Sequence, residues 1–147
     1  MEDGELNELR RVARSGGSAL MIDDALLPVV ALDDPKLIPG LLELLSEEGD
    51  QDGMWSILHV AENFAERDYV RGLLDALPTL ARTSKEWASV LVIRVLNSGT
   101  CRIQLATFLR HSPPITKGVV AGICDAICRE DIGFAPKAAS VLAAARE

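Results

Sequence analysis

The chain has 147 residues, a formal net charge of −7 and a hydrophobic fraction of 48%, which allows one domain with a substantial core and excludes a disordered chain. Aromatic side chains make up only 4%, so aliphatic residues must fill the interior, as they do when helices pack on helices. No apolar run approaches the roughly 20 residues that span a bilayer, and the acidic start Met1-Glu2-Asp3-Gly4-Glu5 argues against a leader peptide, so a cytoplasmic location is expected.

Helical periodicity runs through almost the whole sequence, and no segment alternates as a strand would. The first predicted helix covers about Glu5 to Arg14, with Leu6, Leu9, Val12 and Ala13 on one side. Ser15-Gly16-Gly17-Ser18 stops it and caps a second helix over about Ala19 to Leu32, in which Pro28 predicts a kink. Asp34 caps a third helix that begins at Pro35 and carries Leu37, Ile38, Leu41, Leu42, Leu44 and Leu45 on its apolar side. Gly49 and Gly53 bracket a turn, and Asp52 is the expected cap of a helix from Met54 to Glu66 whose apolar stripe is Met54, Ile57, Leu58, Ala61, Phe64 and Ala65. Helices follow over about Tyr69 to Leu80 and Ser84 to Asn97, the latter opened by a Thr83–Glu86 capping box. Thr100 should cap Cys101 to Arg110, Ser112-Pro113-Pro114 breaks the chain, Thr116 should cap a helix reaching Arg129, and a last helix runs from about Pro136 to Ala145.

Two stretches repeat at a fixed offset of 32 residues: Gly40-Leu41-Leu42-Glu43 returns as Gly72-Leu73-Leu74-Asp75, Leu45 as Leu77, and Trp55 as Trp87. A helical period of this size is the mark of stacked helix hairpins. Asp34, Pro35, Ile38, Pro39, Leu41 and Leu42 look like the opening helix of a HEAT-type repeat. The expected fold is therefore all-α: a right-handed α–α superhelix of HEAT-like hairpins with about nine helices. Residues 1–147 form a single domain in this reading, with hairpins over roughly 5–32, 35–66, 69–97 and 101–129 and a closing helix at 136–145.

The charge is unevenly spread. Residues 1–68 carry 16 acidic and 5 basic side chains, and residues 69–147 carry 6 and 10. An acidic half repels phosphates and attracts basic proteins. Besides the capping residues Asp34 and Asp52, the acids gather as Asp23 and Asp24, Asp33, and Glu47, Glu48 and Asp50. These form a candidate negative strip. Stacked hairpins also bring equivalent positions together, so Trp55, His59, Glu62 and Glu66 on one second helix should run beside Trp87, Leu91, Arg94 and Ser98 on the next. Glu62 and Arg94, one repeat apart, are a candidate tie. Trp and Arg are enriched at binding hot spots, but the plainer reading, and the favoured one, is that both tryptophans are repeat packing and Glu62–Arg94 is a structural tie.

Chemistry-bearing motifs are missing. The sequence has no phosphate loop, dinucleotide fingerprint or nucleophile elbow. His59 and His111 lie on different hairpins, and Cys101, Cys124 and Cys128 lack the partners of a zinc site. No metal, cofactor, nucleic acid or membrane is expected, and an enzyme is disfavoured.

The segment Met54-Trp55-Ser56-Ile57-Leu58-His59-Val60-Ala61-Glu62-Asn63-Phe64, followed by Tyr69, Leu73-Leu74, Leu77-Pro78, Trp87 and Arg94-Val95-Leu96-Asn97, resembles a family of bacterial polymorphic-toxin immunity proteins, immunity protein family thirty. The resemblance covers roughly residues 35–110. It implies a small protein that binds and neutralises a co-encoded toxin, with a basic and nuclease-type partner the best match for the acidic surface. The candidate toxin-binding residues are then Asp23, Asp24, Asp33, Glu47, Glu48, Asp50, Trp55, His59, Glu62, Glu66, Trp87 and Arg94. The alternative is a helical-repeat adaptor or scaffold. Gene neighbourhood separates the two.

Overall fold

A computed structural model describes residues 2–147, with side chains described from Gly4 onward. The fold is all-α, and no strand occurs among the described residues. The first helices are α1 (Glu2–Glu5), α2 (Asn7–Arg14) and α3 (Ala19–Leu32). A 3-10 turn at Pro35–Leu37 leads into α4 (Ile38–Leu42), followed by α5 (Gln51–Glu62), α6 (Glu66–Thr83), α7 (Lys85–Leu96), α8 (Gly99–Leu109) and α9 (Pro114–Glu130). A second 3-10 turn at Ile132–Phe134 opens α10 (Ala135–Ala145).

Local chemistry sets these boundaries. After α2 the chain reverses at Gly16, whose φ of 78° only glycine adopts freely. The Gly17 N–H then reaches back to the Val12 carbonyl at 2.9 Å, closing a Schellman-type cap. Ser18 Oγ accepts the Met21 N–H and starts α3 at Ala19, as its sequence predicts. The segment after Asp34 departs from expectation. Its carboxylate does accept the Lys36 N–H at 3.0 Å, but the first turn is 3-10 and α4 ends at Leu42. Pro39 explains the tightening, because its ring would clash with the Pro35 carbonyl in α geometry.

Four predicted caps are displaced. Asp50, not Asp52, caps α5, its Oδ1 accepting the Gly53 N–H at 2.9 Å. Asp52 falls in the first turn, where its charge still suits the helix dipole. Thr83 ends α6 with its hydroxyl donating to the Thr79 carbonyl, and Ser84 is the single residue that turns the chain into α7. Ser98 rather than Thr100 caps α8, accepting the Cys101 N–H. Thr116 lies buried inside α9, which begins at Pro114 behind Pro113.

The chain divides into two units, residues 1–76 and 77–147. In the first, α2 packs on α3, α3 on α5 and α4 on α5. Two glycines show how close this packing is. A Cβ on Gly40 would stand 2.5 Å from Leu6 Cδ1, and one on Gly72 would stand 2.5 Å from Ile38 Cγ2. Leu6 and Ile38 are 32 residues apart, as are Gly40 and Gly72, so this one close approach recurs at the offset seen in the sequence. In the second unit α7 packs on α8 and α9, and α10 packs on α8 and α9. The Arg102 guanidinium donates to the Leu96 carbonyl at 2.7 Å, capping the end of α7, and Arg110 pairs with Glu147 at 2.8 Å.

Candidate interaction surface

The surface feature that stands out in the first unit is α3. Ile22, Leu26 and Val29 are buried at helical spacing and face the core. The opposite side is also aliphatic: Leu20 is 78% exposed, Leu27 67% and Val30 49%, with Met21 and Leu32 about half exposed. Along this side Leu20, Asp24 and Leu27 fall at i, i+4 and i+7, and so do Asp23, Leu27 and Val30. Carboxylates therefore alternate with aliphatic side chains, and Asp23 and Asp24 are exposed. They are also the only ionisable side chains on the helix.

Val30 continues from this ridge into a cleft of about 290 Å³ lined by Asp33, His59, Val60, Asn63 and Phe64. The α5 backbone sets one wall, since Trp55, His59 and Asn63 follow one another at i, i+4 and i+8. The half-buried Trp55 ring lies 5.9 Å from the His59 ring at 38°, a tilted contact that holds the exposed imidazole in place. Asp33 closes the end of α3 with φ 48° and ψ 43°, the one described non-glycine residue at positive φ. It also sets a negative charge at the negative end of a helix dipole. Both features oppose stability.

The remaining candidate acids of this unit have separate settings. Glu47, Glu48 and Asp50 are exposed in the turn before α5, where the Glu48 N–H donates to Ser46 Oγ and Asp50 serves as the cap. Glu62 and Glu66 are half-buried and already engaged in interactions within the molecule. In the second unit Trp87 is only 4% exposed and Leu91 is fully buried. The indole of Trp87 is thus part of the core, whereas Trp55 reaches the surface. Arg94 is exposed on α7 and also engaged within the molecule.

The candidate ligands and nucleophiles are dispersed. Among the described residues no three His, Cys, Asp or Glu side chains gather where they could hold a metal ion. No disulfide joins the three cysteines. Burial, with smaller contributions from Cys128 and Asp125, pushes the Cys124 thiol up to about 12, which keeps it protonated and inert at neutral pH. A second cleft of about 300 Å³ lies in the second unit, with Lys85 and Ala88 of α7 and Gly118 and Gly122 of α9 among its lining residues. The outward apolar side of α3 is the feature that sequence reasoning missed. Its signal was present: apolar side chains surround α3 on every side of the helical wheel.

This is an all-α chain whose first unit presents an aliphatic side of α3 with carboxylates beside it. The model of the family Immunity protein 30 matches residues 10–105, about two thirds of the chain and all of α3 to α7, and the chain belongs to that family. It is accordingly an immunity protein, with a cognate toxin as its partner. No curated protein and no solved structure matches the chain. No helix among the described residues is long and apolar enough to cross a membrane.

Proposed function

We propose that this immunity protein neutralises its toxin by direct stoichiometric binding, laying the carboxylates of its first unit over a basic active site. The observation that carries this reading is the coincidence of charge with structure. Residues 1–76 hold 17 acidic and 6 basic side chains, and residues 77–147 hold 5 and 9. The net charge is −11 in one unit and +4 in the other, a larger separation than solubility requires. Asp23, Asp24, Asp33, Glu47, Glu48 and Asp50 are all exposed. An inhibitor of this kind occupies the phosphate path of a nuclease-type toxin, acts in the cytoplasm of the cell that makes the toxin, and associates quickly because opposite fields steer the encounter. Co-expression with the product of the adjacent gene tests it. A 1:1 complex and restored growth are the expected results. Absence of both a complex and rescue discards the proposal.

A further inference from the structure

We infer that the outward side of α3, running through Val30 into the cleft beside His59 and Phe64, is the surface on which the toxin docks. The toxin segment received there carries Lys or Arg side chains among apolar ones. This inference rests on the direct-binding reading above and adds where the contact lies and what it recognises.

Leu20, Leu27 and Val30 are large aliphatic side chains standing in water at 78%, 67% and 49% exposure. Single exposed aliphatics are ordinary, but a contiguous set on one helix marks a contact surface. Charge then selects the occupant. Every ionisable group on α3 is a carboxylate, and Asp33 adds another where the ridge meets the cleft. A second copy of the chain would set Asp23 and Asp24 against their own equivalents, which like-charge repulsion opposes. A lipid surface would require Lys or Arg on the polar side of the helix, and α3 has neither. A cationic, partly apolar protein segment satisfies both halves of the surface. Its basic groups meet Asp23, Asp24 and Asp33, and its apolar groups cover Leu27 and Val30 and enter the cleft. The strained backbone of Asp33 fits the same picture, since unfavourable φ values persist where a side chain must be held in place.

The test measures binding of the full-length protein to the purified product of the adjacent gene, rendered inactive. L27S/V30S should weaken Kd at least tenfold, because both side chains lose buried area at the contact. Both positions are solvent-exposed, so the variant should retain its wild-type melting temperature. D23N/D24N should slow association severalfold and flatten its salt dependence. Ile103→Ser, which removes an equally exposed aliphatic from α8 in the other unit, should change Kd less than twofold. Wild-type affinity in L27S/V30S, with the complex otherwise intact, overturns the inference while leaving the direct-binding reading standing. No binding by the wild-type protein overturns both. A wild-type dimer that L27S/V30S converts to monomer assigns the surface to a second copy and also overturns it.

Discussion

Ile38 fills the space that a side chain at Gly72 would need: a Cβ there would stand 2.5 Å from Ile38 Cγ2 and 2.8 Å from its Cβ. Leu6 does the same 32 residues earlier, where a Cβ on Gly40 would stand 2.5 Å from Leu6 Cδ1. Glycine costs about 1 kcal/mol relative to alanine inside a helix. At these two positions that cost is offset by the close approach it permits.

Gly72→Ala should therefore destabilise the protein by about 1–3 kcal/mol, because a β-branched neighbour cannot swing its Cβ aside. Gly118→Ala should do the opposite. A Cβ at Gly118 meets nothing within 4 Å, so helix propensity alone acts and stability should rise by about 0.5–1 kcal/mol. Urea denaturation of the two variants checks the pair. A neutral or stabilising Gly72→Ala would show that the helices separate easily at this point.

Asp33→Gly should raise stability by about 0.5–1 kcal/mol, since glycine adopts the left-handed conformation without steric penalty. The same change should weaken toxin binding by removing a carboxylate from the mouth of the cleft. Thermal melting and titration calorimetry would move in opposite directions. A less stable variant would mean that the side chain, and not the backbone, dominates at this position.

Asp50→Ala should cost about 1 kcal/mol through loss of the α5 cap, and Asp52→Ala should cost less, because only a dipole interaction is removed. Comparing the two urea midpoints separates them. Equal losses would place the cap elsewhere.

Cys124 gives a dependence on alkaline pH. Its thiol is raised from 9.0 to about 12, chiefly by burial. Below pH 9 the proton is bound in both states and the stability is fully present. Between pH 9 and 12 the unfolded chain has released the proton while the native chain keeps it. Stability should fall there by about 1.4 kcal/mol per pH unit relative to Cys124→Ala. A thiol reagent at pH 8 should label native Cys101 and Cys128, which are half-buried, well before Cys124. Identical alkaline slopes in wild type and variant would show that the buried thiol contributes nothing.

Steering by the acidic unit makes association with the toxin depend on salt. Raising ionic strength from about 0.01 to 0.1 M shortens the screening length from roughly 30 to 10 Å. The association rate should drop about tenfold. Stopped-flow mixing measures it, and a salt-independent rate would argue that the toxin site is not basic.

Much of the helical order was legible. The ends of α3 at Ala19 and Leu32 follow from Ser18 and from the polar pair after Leu32, because capping and the loss of periodicity are local effects. The 32-residue offset pointed to Gly40 and Gly72, which turn out to be equivalent contact points. The caps were less legible. Asp50 and Asp52 have the same chemistry, and only the backbone angles around them decide which carboxylate reaches an N–H. Trp55 and Trp87 show the same limit at the level of packing. At the same place in the sequence repeat, they read alike, yet one is half-buried and reaches the surface while the other is 4% exposed.

From residues alone came the all-helical class, the period, and the acidic weight of the first half. Composition, spacing and formal charge are properties of the chain before it folds. Burial is not, because it depends on which neighbours cover each helix. Only the packed structure decided that α3 turns one aliphatic side to the core and another to water, with Asp23, Asp24 and Asp33 beside it.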